Sequence, residues 1–454
     1  MMSEYKLNDV LDYISKPIQQ YHTQKNDFSS DPSANNLTLE NNDLGFISSL
    51  IFSLISSSNN KKNTNNLFIN TDDLLQNLKN EHDKNTPKNI AKINKIYKTL
   101  ETQLIHNLIN FLNDLDDIQV NVIYVNNLYT PKDESFLKNI ASIQQFHNTS
   151  NKTQTLKHQI CLFIPKFEDD LITGTEIQKR CSMKIDHYFN RIQQFNSDSQ
   201  VNNLKLQSIG IVISNIELLN KNMFLKKKFW LSCSGGATIE FLNKFHDSNI
   251  VENKAKKLFN FFLVYMTACW QPFKSPISKT FNNKLKQYIL DIVVHLRLQR
   301  FSQQGRGGGI SSMSLNDMIQ VSISLSILDN FYDGLMDFID RNGDNIDEYL
   351  KEKDEIKFND EMTCKENVIV TPDIVKIAAR VYFPFKLQLT INSSNKRQRK
   401  DYSIAYGSDK EVVDELIDNL KDLEILNKNE DLKGQYTMER LVVEDVLRHI
   451  STSF

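Results

Sequence analysis

Glycine is scarce in this chain of 454 residues, which contains only 13 glycines, whereas an average composition would give about 32. After Gly45 the next glycine is Gly174. A phosphate-binding P-loop needs the pattern GxxxxGK[ST], because its backbone N–H groups surround phosphate and its lysine reaches the outer phosphates. No Gly-Lys pair occurs anywhere in the sequence. The chain therefore lacks the standard loop of phosphate-binding enzymes.

The residue patterns that hold metals or carry hydrolytic chemistry are also missing. The 5 cysteines form no CxxC pair, which argues against a zinc site or a disulfide framework; they are Cys161, Cys181, Cys233, Cys269 and Cys364. The 9 histidines form no HExxH motif, and there is no GxSxG. An EF-hand alignment on Gly343 puts Phe338 and Tyr349 where calcium needs carboxylates. The sequence thus predicts no cofactor, no metal and no catalytic site.

No long hydrophobic run or strong charge excess is present either. The longest apolar run, from Leu258 to Trp270, is shorter than the roughly 20 residues that cross a bilayer, and it predicts a buried helix. The N-terminus lacks the pattern of a signal peptide. With a net charge of -2, no general basic field favours nucleic acid. We expect an intracellular protein, nuclear or cytoplasmic, that is neither secreted nor in a membrane.

Strand and helix patterns alternate over residues 40–235 and predict an α/β layered domain. Short strands are expected at NLFIN, IQVNVIYV, QICLFIP and SIGIVIS. The last two are continuous apolar runs, as in a parallel sheet that is buried on both faces. A long helix is predicted from Ile90 to Leu115, and polar low complexity predicts a loop over Ser56–Asn66.

The C-terminal half is predicted to be helical. Apolar periodicity predicts helices over Phe281–Arg300 and Met438–Ile450, and Ser314 begins another. Thr371 and Pro372 open a helix that Pro384 is expected to stop. The glycine cluster Gly305–Gly309 is expected to be a flexible connector.

Four segments follow from these patterns. We predict a helical or flexible N-terminal segment (1–40), an α/β core (41–235), a helical lid (236–390) with an acidic insertion at about 340–361, and a winged-helix-like module (391–454).

Two kinds of charged cluster are candidates for binding. Strand QICLFIP is followed by Glu168, Asp169 and Asp170, which outline a magnesium-binding strand end, although the sequence favours a solvated turn after a core strand. Short basic clusters with aromatic neighbours contact nucleic acid or protein in some proteins and are plain surface in most. The candidate interaction surface comprises Lys226, Lys227, Lys228, Trp230, Arg297, Arg300, Arg380, Lys396, Arg397, Arg399 and Lys400.

Several segments resemble, in order and rough spacing, the fungal maintenance of telomere capping protein 2 family. They are KKKFWLSCS, KQYILDIVVHLRLQR, VTPDIVKIAARVYFPFKLQL, AYGSDKEVVDEL and VVEDVLRHI. The resemblance implies a role in telomere capping or maintenance at the level of pathway. It carries no molecular mechanism, and the partners it implies are telomere or DNA-maintenance proteins.

A weaker resemblance links the chain to the MoxR and magnesium-chelatase branch of AAA+ ATPases. A helix, a glycine break, a second helix and VTPDIVKIAA look like the helical lid of those proteins. QICLFIP then takes the place of the Walker B strand, and SIGIVIS that of the sensor strand, with Asn215 near the sensor position. The Walker A loop and the lid arginine are missing, and the Walker B acids are displaced. The fold class implied is a degenerate AAA-like parallel sheet with a lid.

The expectation from sequence is a non-catalytic protein that acts through protein contacts. Two alternatives stay open. One is cryptic nucleotide binding through Asp169, Asp170 and Arg297, and the other is DNA binding by the C-terminal winged-helix-like module and the basic clusters.

Overall fold

The structure is a computed structural model. It describes residues 44–59, 66–81, 87–115, 118–126, 158–166, 174–201, 208–220, 222–246, 259, 263, 266, 281–299, 301–302, 304–342, 369–389 and 436–450. Several predicted features lie outside these residues: segment 1–40, the acids at 168–170, the acidic insertion beyond residue 342, Arg300, the basic residues at 396–400 and all of the C-terminal module except its last helix.

Five parallel strands form one sheet in the described part of the chain. They are β1 (Asn66–Asn70), β2 (Ile118–Val125), β3 (His158–Pro165), β4 (Ser208–Ser214) and β5 (Phe229–Ser234). Their order in the sheet is β2-β3-β4-β1-β5, and every neighbouring pair is parallel. The four strands expected from sequence are therefore confirmed. β5, from the segment beginning at Phe229, was not singled out as a strand.

In the described part of the chain, helices connect β1 to β2, β3 to β4 and β4 to β5, in keeping with parallel pairing. Those of the sheet unit are α1 (Phe46–Asn59), α2 (Asp72–Glu81), α3 (Pro87–Asn113), α4 (Gly174–Val201), α5 (Glu217–Asn220), α6 (Met223–Lys228) and α7 (Gly235–His246). α3 confirms the predicted long helix. α1 continues to Asn59, four residues into the segment predicted as a loop.

The core lies where the helices cover the sheet. The central strands β1 and β4 are buried along their whole length, and the edge strand β2 is mostly half-buried. Aromatic side chains fill the space between the sheet and α4, where Phe163 contacts both Tyr188 and Phe189. Phe189 in turn packs edge-on against Phe229, with ring centroids 5.3 Å apart. This packing makes the sheet a rigid base for the loops at its ends.

A second set of helices follows. They are α8 (Asn283–Leu298), a 3₁₀ turn (Gln304–Gly309), α9 (Ser314–Asn342), α10 (Pro372–Lys386) and α11 (Thr437–His449). The buried face of α8 is the predicted one. Pro384 does not stop α10, which ends two residues later at Lys386. A proline in the last turn costs one hydrogen bond, and Leu387 N–H still reaches the Phe383 carbonyl at 2.8 Å.

The glycine cluster is a defined turn and not the flexible connector expected from sequence. Gly307, Gly308 and Gly309 all have positive φ angles, of 60°, 60° and 77°. The Gly308 carbonyl accepts the N–H of Gln388 at 2.8 Å. A Cβ at Gly309 would lie 2.9 Å from the Lys386 carbonyl oxygen, so only glycine fits there.

The described residues divide into two compact units. One contains those between Asp43 and Thr280 and between Ile323 and Val370, and the other contains those of Phe281–Ser322 and Thr371–Phe454. The sheet belongs to the first, and α8, α10 and α11 belong to the second. The four-segment division at residues 40, 235 and 390 stays a prediction.

Candidate functional site

The carboxyl ends of β1, β4 and β5 meet at one edge of the sheet, which is where parallel α/β sheets bind ligands. β1 carries no loop there, because α2 begins at Asp72, two residues after Asn70. Pairing even continues past the strand ends, since Thr71 N–H donates to the Ser214 carbonyl at 3.1 Å. The crevice that would open between β1 and β4 is therefore closed by the chain itself.

Asp73 binds the N-terminus of α7. Its Oδ2 accepts the Gly236 N–H at 2.7 Å and also the Ser234 hydroxyl. Its Oδ1 accepts the Leu74 N–H at 2.9 Å. Free N–H groups at a helix N-terminus attract anions, and here the anion is a side chain of the protein.

Two consecutive glycines let α7 approach this closely. A Cβ at Gly235 would lie 2.8 Å from the Asn70 carbonyl oxygen, and one at Gly236 would lie 2.7 Å from Asp73 Oδ2. In nucleotide-binding proteins glycines bring the backbone to a phosphate. In this chain they bring it to the end of β1 and to a carboxylate.

Asp72 makes the equivalent contact after β4. Its Oδ2 accepts the Ile216 N–H at 3.0 Å, and its own N–H donates to Asn70 Oδ1 at 3.1 Å. Asn215, the residue expected near a sensor position, accepts the Leu218 N–H with its side chain at 3.4 Å and so caps α5. These groups all serve the turns that follow β1 and β4.

Burial sets the acidity of this cluster. Burial raises the pKa of Asp72, and the Glu217 and Asp73 carboxylates raise it further by smaller amounts. The hydrogen bond from the Ile216 N–H lowers this pKa, but by less than burial raises it. Burial also raises the pKa of Asp73 more than the Ser234, Gly236 and Leu74 hydrogen bonds lower it.

Tyr97 completes the edge from the side of α3. Its hydroxyl lies 2.8 Å from the Thr71 hydroxyl, and burial together with the Glu101 carboxylate raises its pKa. The cluster thus contains hydroxyl, amide and carboxyl groups and no cation. No group of three metal-binding side chains occurs among the described residues.

The three lysines at the end of α6 have different environments in the structure. Lys226 is only 6% exposed, and Lys228 pairs with Asp186 at 2.6 Å. Lys227 is exposed, and its Nζ lies 5.8 Å from the centroid of the Phe224 ring. Trp230 is 1% exposed and belongs to the core. The aromatic side chain that accompanies the exposed lysine is Phe224, which the sequence analysis did not single out.

Two arginines of the candidate interaction surface, Arg297 and Arg380, have internal partners in the second unit. Arg297 donates to the Ile310 carbonyl through Nε at 3.2 Å and through an Nη at 2.9 Å. Arg380 forms a two-pronged pair with Glu444, at 2.5 Å and 3.1 Å. Both arginines therefore hold elements of this unit together.

A buried hydroxyl and carboxyl group join α9 to α10 in the same unit. The Tyr382 hydroxyl donates to Asp317 Oδ2 at 2.6 Å and lies 3.3 Å from Ser314 Oγ. Burial and the Asp317 carboxylate raise the pKa of Tyr382. Ser314 and Asp317, expected from sequence to mark the start of a helix, also hold Tyr382.

A cavity of about 840 Å³ lies beside α3. Its walls in the described residues come from that helix alone, and they are Asn94, Lys95, Lys98, Thr99, Thr102, Gln103 and His106. No described helix is long and apolar enough to cross a membrane.

Comparison with known proteins gives one consistent result. The chain is 27% identical over 272 residues to maintenance of telomere capping protein 2 of Vanderwaltozyma polyspora, covering 56% of this chain and 62% of that protein. The protein of the same name from Lachancea thermotolerans is 26% identical over 49% of this chain and 57% of its own length. The protein of the same name from Saccharomyces cerevisiae is 31% identical over a region that covers 37% of this chain and 35% of that protein.

The resemblance to the maintenance of telomere capping protein 2 family is thereby confirmed, whereas the resemblance to AAA+ ATPases stays a prediction. The chain spans about three fifths of the length of the first two relatives. No protein-family model and no solved structure matches it.

Proposed function

We propose that this chain is a non-catalytic protein with a role in telomere capping or maintenance, and that it acts by binding other proteins. The telomere role is taken from the names of the yeast relatives. The non-catalytic character rests on one observation above all, the contact between Asp73 and the N-terminus of α7.

The scaffold we propose is a degenerate AAA-like one. In sheets of that type the strand that leads into the phosphate-binding loop lies between the fourth and fifth strands. β1 has this position in the order β2-β3-β4-β1-β5. The strand order supports an AAA-like scaffold. The place of Asp72 and Asp73 directly after β1 supports the view that this scaffold is degenerate.

The chemistry at that place opposes nucleotide binding. A bound triphosphate would need N–H groups and a lysine after β1, and it would meet two carboxylates there instead. Two like charges about 4 Å apart repel by roughly 1–4 kcal/mol at an effective dielectric constant of 80 to 20. The N–H of Gly236, at the start of α7 beside this place, is likewise bound to Asp73.

Measurement of chromosome ends tests the telomere role. A strain that lacks this chain should accumulate single-stranded DNA at its telomeres when capping is weakened, and the wild-type chain should reverse the defect. Ends that are unaffected by loss of the chain would contradict the role.

The nucleotide-binding alternative loses one of its residues. Arg297 is engaged by the Ile310 carbonyl, and Asp169 and Asp170 lie outside the described residues. Calorimetric titration with ATP and Mg²⁺ tests it.

The DNA-binding alternative relies on the module at 391–454, of which only α11 is described. Titration of the full chain with single- and double-stranded telomeric DNA over a salt series tests it, because phosphate contacts weaken steeply with salt.

A further inference from the structure

Phe224 is the most exposed of the large apolar side chains in the described residues, at 74%. Phe224 lies on α6, and the residue that follows it, Leu225, is buried. Removal of a phenylalanine side chain from water favours association. An exposed one on an ordered helix is therefore a ready anchor for a partner.

The position of Phe224 is fixed by contacts on both sides. Asn222 caps α6, since its Oδ1 accepts the N–H of Phe224 itself at 3.1 Å and that of Leu225 at 3.2 Å. At the other end of the helix Lys228 binds Asp186 and Asn190 of α4. A partner that covers the ring would therefore not have to order the helix first, which favours binding.

A second exposed apolar side chain lies on the neighbouring helix. Met183 of α4 is 58% exposed. The residue before it, Ser182, accepts the side-chain amide of Asn222 through its carbonyl, so α4 and the start of α6 are in direct contact. Methionine adapts its shape to different partners, so the helix that contacts the start of α6 offers a second apolar side chain.

The charges around these two side chains are not balanced. Arg180 is paired with Glu176 at 2.7 Å and Lys228 with Asp186 at 2.6 Å. Lys179 and Lys227 are exposed, and no carboxylate in the described part of the chain pairs with either ammonium group. The apolar centre therefore has a positive rim.

We infer that a partner protein binds this chain through an acidic segment that also carries an apolar side chain. The segment would bind a surface formed by Phe224, Met183, Lys179 and Lys227, which we call the Phe224 patch. The apolar centre would take that side chain, and the two lysines would attract the acidic residues around it. This inference rests on the proposed function, because it names the kind of partner surface through which the protein would act.

Nucleic acid fits the Phe224 patch less well. Surfaces that bind single strands combine several stacking side chains with a positively charged groove, and the described patch has one aromatic ring.

A displayed library of random twelve-residue peptides, selected on the full chain, tests the inference. We expect selected peptides to be rich in Asp and Glu around an aromatic or aliphatic residue. For a synthetic, fluorescently labelled copy of one of them, Phe224→Ser should weaken binding at least about tenfold, the size expected for an anchor residue. Lys227→Glu should weaken it several-fold and reduce its dependence on salt.

The matched control is Ile369→Ser, because Ile369 is 64% exposed and belongs to the same unit. It should leave peptide binding unchanged, and Phe224→Ser should leave the unfolding midpoint nearly unchanged, since the side chain is on the surface. Selection of no peptide, selection of basic peptides, or equal binding by the two serine variants would overturn the inference. DNA binding that is lost in Phe224→Ser would also overturn it and favour nucleic acid.

Failure of the patch and failure of the telomere role are distinguishable. Peptide binding uses the purified chain, and the chromosome-end assay uses cells. If no peptide depends on Phe224 while loss of the chain damages telomeres, the Phe224 patch is wrong and the proposed function stands. If a peptide depends on Phe224 while telomeres are unaffected by loss of the chain, the patch stands and the telomere role is wrong.

Discussion

Replacement of Asp73 by Ala tests how far the chain's own carboxylate maintains the edge of the sheet. The variant loses the acceptor for the Gly236 N–H and the Leu74 N–H, and the hydroxyl of Ser234 loses its partner. Loss of a helix cap costs about 1 kcal/mol, and a buried donor left without an acceptor costs about 1–3 kcal/mol. Because burial of the carboxylate offsets part of this, we expect a net loss of about 2 kcal/mol.

Urea denaturation followed by tryptophan fluorescence measures this loss, since Trp230 lies in β5 of the same unit. In a thermal scan a loss of that size corresponds to a fall of about 3 °C for a unit of roughly 300 residues. Glu176→Ala is the matched control, because Glu176 is an exposed carboxylate in the first turn of α4. It should cost no more than about 0.5 kcal/mol. Equal effects of the two substitutions would refute the reasoning.

The pH dependence of the same variant series checks the role of burial. Because the pKa of Asp73 is raised in the folded chain, its protonated form is favoured by folding. Its contribution to stability is therefore largest below the unfolded pKa of about 3.8 and declines as pH rises through the raised value. The free-energy advantage of wild type over Asp73→Asn should be greater at pH 4.5 than at pH 7. An advantage that grows with pH would show that burial does not dominate.

Three further substitutions test contacts in the second unit. Gly309→Ala should destabilise by about 1–3 kcal/mol in thermal or urea unfolding, because φ is 77° and the new Cβ would approach the Lys386 carbonyl; an unchanged midpoint would contradict the left-handed turn. A double-mutant cycle of Arg380→Ala and Glu444→Ala should give a coupling energy of about 1 kcal/mol, and additive effects would exclude the pair. Tyr382→Phe should cost about 1–3 kcal/mol, since it removes the hydroxyl that donates to the buried Asp317 carboxylate, whereas an unaltered free energy of unfolding would show that the hydroxyl contributes nothing.

Elements whose sequence signal is local were predictable. QICLFIP and SIGIVIS are apolar throughout because both faces of their strands are buried, and the structure places them as β3 and β4. The helix face of Leu285, Tyr288, Ile289 and Val293 follows from the 3.6-residue period alone. Thr371 and Pro372 likewise mark the start of α10 because capping is a local contact.

Features that depend on distant partners were not predictable. The sequence TDD after β1 reads as the start of a helix, and only the fold brings Gly236 and Ile216, more than 140 residues away, to its carboxylates. Trp230 follows three lysines and looks like part of a surface cluster, but the strand β5 turns it into the core. Phe224 differs from Trp230 in the opposite direction, because it is an apolar residue that lies on the surface. Its exposure depends on how α6 lies beside α4.

Calorimetric titration of the full chain with ATP and Mg²⁺ decides whether this edge of the sheet binds nucleotide. Because Asp72 and Asp73 lie directly after β1, where a phosphate-binding loop would be, and the chain has no Gly-Lys pair, we expect no saturable heat up to millimolar nucleotide. Stoichiometric binding that disappears in the Asp169→Ala, Asp170→Ala double variant would contradict it.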